Sequence, residues 1–282
     1  MRNEEKLAIQ CHTEYDALKY VIVVPPKYMA ITEVINETQA HYVSDNINID
    51  IAIQQHQSLV DKLQAEGAVV HELDAKPELN EQVFTRDIAF VIGEKLFISN
   101  MQRDIRKKEV AVLMNWLVEN EVPYEVCELP SIEGGDVIVD GKQVWVGVSG
   151  RTSRAAIHAL QAELPNYNIS PIRLREDILH LDCVFNVINE NTALIFRDAI
   201  HQRDFEKIKG HYNLIEVTAE EQFAMGPNVL AIGEKKIISL PENKQLNRQL
   251  TETGFDVIEI PFSEIIKSGG SYRCCTLPLL RK

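Results

Sequence analysis

Short apolar runs, broken by turns rich in Gly, Asn, Asp, Glu and Lys, recur along this chain at a nearly constant interval. Four segments share one pattern: a short polar residue, an apolar run, a turn and a second apolar run, which predicts a β-hairpin. They cover 87–99, 136–147, 182–196 and 228–239 and open on Asp87, Asp136, Asp182 and Asn228, about 46 to 49 residues apart, near the period of propellers and related arrays. Each hairpin leads into a stretch with apolar residues three and four apart, such as Val110, Leu113, Met114 and Leu117, or Ala156, Ile157 and Leu160, which predicts a helix. A third apolar run then closes the unit, at 124–129, 169–174, 212–217 and 255–260. The unit is therefore ββαβ. The segments 18–24, 51–66 and 68–73 form a fifth unit that lacks one strand, and the tail after Cys274 can supply it. Such a pairing would close a ring and remove its exposed sheet edges.

A ring of equivalent units brings the same position of each unit to the axis. Asp87, Asp136, Asp182 and Asn228 are equivalent by this count, and Cys274 enters at the matching point of the fifth unit. Any one of them alone reads as a residue that opens a strand. Around Cys274 the sequence Gly269-Gly270-Ser271-Tyr272-Arg273-Cys274-Cys275 crowds glycines, a cation and a thiol. Nearby positive charge favours a thiolate, and paired glycines let the backbone approach a ligand.

Composition narrows the possibilities. With 282 residues and 45% hydrophobic content, the chain can fold as one domain spanning 1–282, and no linker-like stretch divides it. It contains no apolar run long enough to span a bilayer, and residues 1–6 lack a secretory pattern, so the cytoplasm is expected. Five cysteines without a regular spacing fit a reducing compartment, and no zinc pattern appears. The net charge of −13 argues against binding nucleic acid or an anionic membrane.

Four islands flank the unit starts: Phe84-Thr85-Arg86-Asp87, Glu133-Gly134-Gly135-Asp136, His180-Leu181-Asp182 and Arg273-Cys274, with Gly147-Val148-Ser149-Gly150-Arg151-Thr152 between the second and third. In this order, from about Glu14 to the C-terminus, the chain resembles the guanidino-group modifying enzymes. That superfamily holds the arginine deiminases, dimethylarginine dimethylaminohydrolases and amidinotransferases. The resemblance implies a five-bladed α/β propeller, the pentein fold, closed by the C-terminal strand. It also implies that Cys274 is the nucleophile, that His180 protonates the leaving amine and then activates water, and that Glu133 orients His180. Asp87 and Asp182 would clamp the guanidinium, with Phe84 beside them. Arg151 would hold the α-carboxylate of an amino-acid substrate, and Arg106 is a second candidate for that task, although a charge run such as 103–109 is more often a solvated face.

The residue types suit this chemistry. A guanidinium is a planar fork of donors that carboxylates bind in pairs. Its carbon is a poor electrophile unless the charge is held and the departing amine is protonated, a task for a group titrating near neutrality. Asp136 reads as structural, a carboxylate that satisfies backbone donors in the Gly-Gly turn, and Cys11, Cys127, Cys183 and Cys275 read as small buried hydrophobes.

The expected function is hydrolysis of a guanidinium C–N bond in a free arginine-like amino acid, most like the dimethylarginine dimethylaminohydrolases. The Phe-Thr-Arg-Asp and His-Leu-Asp motifs are closer to deiminases and amidinotransferases, so arginine itself, citrulline-type hydrolysis and amidino transfer are the alternatives. A non-catalytic propeller that binds an arginine-like metabolite is the reading from another class. No cofactor and no metal are called for, the partner is a small molecule, and a homodimer is left open. The long polar stretch between Pro25 and Asp50 is expected to form a lid.

Overall fold

The described residues form five three-stranded sheets, four of them opened by a hairpin. A computed structural model describes residues 7–126 and 130–282. Residues 1–6 and 127–129, which include Cys127 and the end of the run 124–129, lie outside the described residues. The strands are β1 (Leu18–Val23), β2 (Val69–Glu72), β3 (Ala89–Ile92), β4 (Lys95–Ile98), β5 (Glu125–Val126), β6 (Val137–Asp140), β7 (Gln143–Val148), β8 (Asn168–Arg173), β9 (Phe185–Asn189), β10 (Thr192–Ile195), β11 (Asn213–Glu216), β12 (Leu230–Gly233), β13 (Lys236–Ser239), β14 (Asp256–Glu259) and β15 (Leu277–Arg281). The helices are α1 (Glu37–Tyr42), α2 (Ile49–Ala65), α3 (Thr85–Ile88), α4 (Asp104–Glu119), α5 (Arg154–Glu163), α6 (Gln202–Lys209), α7 (Ala219–Phe223) and α8 (Lys244–Glu252).

The sheets follow the expected repeat. In β3-β4-β5, β6-β7-β8, β9-β10-β11 and β12-β13-β14 the first two strands pair antiparallel and the third returns parallel to the second. A tight turn can join only an antiparallel pair, whereas a parallel neighbour needs a crossover, which α4, α5, α6 and α8 help to provide. The remaining sheet, β15-β1-β2, draws its strands from both ends of the chain: β15 runs antiparallel to β1, with Leu18 opposite Arg281 and Ile22 opposite Leu277. The tail after Cys274 thus completes the sheet that lacked a strand.

Burial explains the strand sequences. Every residue of β3, β9 to Ile188, β10 and β12 is buried, so these strands read as continuous apolar runs. The outer strands β2, β11 and β14 are exposed at both ends and carry Glu72, Glu216, Asp256 and Glu259 there, charges that discourage pairing with another chain. Among the helices, α5 starts where Ser153 Oγ accepts from Ala156 N and buries Ala156, Ile157 and Leu160. α2 starts at Asn48 and buries Leu59, Val60 and Leu63. Each of these isoleucine, leucine and valine side chains contributes about 1.5–3 kcal/mol by leaving water. Ile22, Ile88, Ile98, Leu113, Leu277 and Leu279 share one core cluster, which ties the first sheet to the second.

Asp87, Asp136, Asp182 and Asn228 do not themselves open strands. They lie in single helical turns immediately before the strands, in α3 and in the 3₁₀ turns Gly134–Asp136, Leu181–Cys183 and Gly226–Asn228. A helical turn brings residues three apart onto one side, so Phe84 and Asp87 can face the same cavity. Neighbouring turns touch one another, and Arg86 N donates to Cys274 O at 3.0 Å. No described helix is long and apolar enough to cross a membrane.

Candidate active site

The residues just ahead of three of these turns, Phe84, Glu133 and His180, occupy the N-cap position, and all three are buried near one another. Phe84 and His180 line a small cavity together with Asp87, Arg106, Arg151, Gly270 and Cys274. Glu133 lies behind it. His180 Nε2 donates to Glu133 Oε2 at 2.8 Å, and its Nδ1 lies 3.5 Å from Asp87 Oδ1; neither of those last two atoms has a hydrogen-bond partner. This close approach requires Gly135, because a Cβ there would stand 2.7 Å from both His180 Nδ1 and Asp87 Oδ1.

Burial alone would strip the proton from His180, but Asp87, the Glu133 hydrogen bond and Asp136 outweigh it and raise its pKa from 6.5 to about 9. Burial likewise opposes ionisation of Glu133, yet His180, Arg151 and Arg106 lower its carboxyl to about 2. The pair is an imidazolium and a carboxylate. Asp136 accepts from Ser149 Oγ at 2.7 Å and from Leu181 N at 2.9 Å. The donor it satisfies thus belongs to the next unit rather than to its own turn, and it fixes the backbone beside His180. Burial pushes Asp136 up to about 6.

Because the folded pKa of His180 is raised, its stabilisation is complete below about 6.5 and is lost as pH rises through about 9. Thermal unfolding of wild type and His180→Asn across that interval checks this: the wild-type advantage should shrink with rising pH. A difference independent of pH would contradict the ion pair.

Cys274 is buried and lines the same cavity. Asn228 Nδ2 donates to its Sγ at 3.1 Å, and Sγ lies 3.4 Å from Asp182 Oδ2. Burial, then Asp182 and Asp87, raise the thiol well above its ordinary pKa, so the resting sulfur keeps its proton. Gly270 backs the cysteine closely: a Cβ there would meet the Phe84 ring at 2.5 Å and Cys274 Cβ at 2.9 Å.

Asp182 is held from behind by Arg273, whose Nη1 donates to Oδ2 at 2.6 Å. Arg273 also donates to both oxygens of Glu14 and to Val137 O. Burial opposes a charged Glu14, but Arg273, Arg86 and Arg281 lower its pKa to about 2.

Of the charge run 103–109, Arg106 and Glu109 face inward and are buried, not solvated. Arg106 donates to Asp87 Oδ2 at 2.6 Å, to Glu109 Oε2 at 2.7 Å and to Phe84 O at 3.2 Å. It borders the cavity with these donors engaged, so what it contributes there passes chiefly through Asp87. Arg151 reaches Ile35 O at 3.0 Å and Glu133 Oε2 at 3.4 Å. Ile35 and Asn36, from the stretch expected to be a lid, also line the cavity. Gln39 of α1 anchors that stretch by donating to Glu81 Oε1 at 2.8 Å and Ser268 Oγ at 2.7 Å.

Asp87, Glu133 and His180 bring ligand-type atoms within 4.8 Å of one another. Their charge is already matched by the Arg106 and Arg151 guanidinium groups and by the imidazolium proton, so the trio fits a proton relay better than a metal ion.

The sequence pattern did not assign Asn228, Glu14, Glu81 or Gln39 a role in the site, and Arg273, the cation expected to favour a thiolate at Cys274, turns its guanidinium to Asp182 and Glu14 instead. Asn228 had a signal, its register with the three aspartates. Glu14, Glu81 and Gln39 carry none, because each is placed by contacts between segments far apart in the chain.

Comparison with known proteins agrees with this fold. A Bacillus subtilis (strain 168) relative, the uncharacterised protein YkgA, is 50% identical over 271 residues, covering 96% of this chain and 95% of the relative. An arginine deiminase of Listeria monocytogenes is 28% identical and matches 74% of this chain, which covers only 63% of that enzyme. Among solved structures, the product-bound N-terminal domain of ArgZ, a cyanobacterial arginine dihydrolase, superposes with a TM-score of 0.85 at 24% identity, covering 94% of this chain and 98% of that one. SxtG, an amidinotransferase from Microseira wollei, gives 0.83 at 18% identity, covering 97% of each chain. Fold and site together define a guanidino-group modifying enzyme of the pentein superfamily. The family model described as N,N dimethylarginine dimethylhydrolase, eukaryotic, matches residues 25–281, and the chain belongs to that family.

Proposed function

We propose that this protein hydrolyses a C–N bond in the guanidinium of a free arginine-like amino acid, with Cys274 as covalent nucleophile. The observation that carries the reading is the convergence on one cavity of the Cys274 thiol, the His180 imidazolium backed by Glu133, and the Asp87 carboxylate, with Asp182 beside the thiol. Binding a guanidinium between Asp87 and Asp182 would offset the anions that keep the thiol protonated, so the substrate's own charge promotes release of the thiol proton to solvent. The thiolate then attacks the guanidinium carbon. His180 transfers its Nδ1 proton to the departing nitrogen, the C–N bond breaks, and an S-linked thiouronium remains. Water attacks the same carbon and gives one proton to the now neutral His180; the C–S bond then breaks, and the remaining hydroxyl proton returns to the sulfur, which leaves a ureido product and the starting thiol. Arg151 suits the substrate α-carboxylate, and Arg106 holds Asp87 in place.

The five sheets are read as blades of a closed five-bladed propeller that forms a single catalytic domain, supported by the β15–β1 pairing and the Arg86 to Cys274 backbone bond. The buried free thiols of Cys11, Cys183, Cys274 and Cys275 suit the reducing cytoplasm.

Product analysis with arginine, methylarginines and citrulline, with and without glycine, tests the reaction class. A ureido product with ammonia or a methylamine supports hydrolysis and identifies the substrate. Guanidinoacetate formed in the presence of glycine would instead establish amidino transfer.

A further inference from the structure

We propose that Asn228 orients the Cys274 sulfur for attack and stabilises its negative charge through the Nδ2–H bond to Sγ. This rests on the reading of Cys274 as the nucleophile. The direction of the amide is fixed by its surroundings. Asn228 Oδ1 accepts the backbone N–H groups of Ser271 and Cys274, both at 3.1 Å, and an NH₂ group in that place would face two donors. Nδ2 must therefore point at the sulfur, 3.1 Å away, while it also donates to Asp182 O at 3.3 Å. One amide thus closes the turn that carries the nucleophile and supplies the nucleophile with a donor.

The repeat shows why this position differs from its equivalents. The other three are Asp87, Asp136 and Asp182, which meet cationic groups or backbone and hydroxyl donors. Asp182 also meets the Cys274 and Cys183 thiols, but only as an acceptor; of the four, Asn228 is the one that offers the Cys274 sulfur a donor. That sulfur is faced by the Asp182 and Asp87 carboxylates and by the Cys183 and Cys275 thiols, with the Arg273 guanidinium beyond Asp182 and His180 in the same cavity. A further carboxylate at 228 would oppose a thiolate; an amide N–H favours one. When the thiol loses its proton, its contact with Asp182 becomes repulsive while the bond from Asn228 becomes charge-assisted.

The test compares Asn228→Asp and Asn228→Ala with wild type, following alkylation of Cys274 by iodoacetamide from neutral to alkaline pH and locating the label by peptide mass. Asn228→Asp keeps the shape and the acceptor for both backbone N–H groups but removes the donor and adds charge. Its alkylation midpoint should rise by about one pH unit or more, with labelling about tenfold slower near neutrality. Asn228→Ala should show a smaller rise. A residue that only caps the turn predicts the reverse order, with the aspartate variant close to wild type and the alanine variant slowest. That order, or unchanged midpoints in both, would overturn the proposal. Thermal unfolding identifies a variant that has lost its fold. If Asn228→Asp is one, the Asn228→Ala profile decides: a raised midpoint supports the proposal, whereas slower labelling at an unchanged midpoint, as loss of the turn cap alone predicts, overturns it. Failure of the underlying reading looks different: wild-type Cys274 would then label no faster than Cys275 at any pH.

Discussion

Cys274→Ser is expected to abolish turnover while leaving substrate affinity nearly unchanged. The groups proposed to recognise the guanidinium and the α-carboxylate, Asp87, Asp182 and Arg151, keep their supports from Arg106, Arg273 and Glu133 in this variant. Only the atom that forms the covalent bond changes. A serine hydroxyl ionises far above a thiol, and nothing in the site compensates: carboxylates face the position, and burial disfavours charge there. Loss of a nucleophile in comparable covalent enzymes costs on the order of 10⁴ to 10⁶ in kcat. Isothermal titration with the substrate found by product analysis, beside a turnover assay, would separate the two effects. A variant retaining a tenth of the activity would remove Cys274 from the chemistry.

The second large effect concerns stability. Arg273→Ala should destabilise the fold by about 3–5 kcal/mol, because it leaves carboxylates buried without their cation. Arg273 is fully enclosed and joins Glu14, which precedes the first strand, to Asp182 and to the carbonyl of Val137. Denaturant unfolding at neutral pH measures the loss. Glu14 also sets an acid limit. Its folded pKa of about 2 lies below its ordinary value near 4.5, so its stabilisation is present above about 4.5 and is lost as pH falls toward 2. In Arg273→Ala this dependence should weaken, since the chief cation that lowers Glu14 is gone. A variant as stable as wild type would show that the ion pair merely replaces an equally good apolar packing.

Most of the fold was legible from the chain because its hydrophobic pattern repeats. The hairpins 87–99, 136–147, 182–196 and 228–239, the helices after them and the returning strands all appear in the structure, with β5 described only to Val126. The missing strand was found by elimination, one sheet short and one apolar tail spare. Local geometry was less legible. The pattern marked Asp87, Asp136 and Asp182 as strand openers, whereas a helical turn there lets Glu133 and His180, each just ahead of its turn, meet across neighbouring units. Arg106 was obscured by its company, since Arg103, Asp104, Lys107 and Lys108 around it suggest solvent. Only the fold shows that Arg106 and Glu109, three apart on α4, share the face turned to Asp87. Partnerships such as Arg273 with Glu14 and Gln39 with Glu81 join segments with no common motif, so no local pattern could announce them.

The central claim is that Cys274 forms a covalent bond to the guanidinium carbon. Rapid acid quenching of the protein with arginine or methylarginines, followed by peptide mass analysis, tests it most directly. The predicted result is a substrate-derived adduct on Cys274 that has lost ammonia or a methylamine, appears within a turnover and decays as ureido product accumulates. Product formation with no adduct on Cys274 under conditions that slow the hydrolytic step, or an adduct confined to another residue, would contradict it.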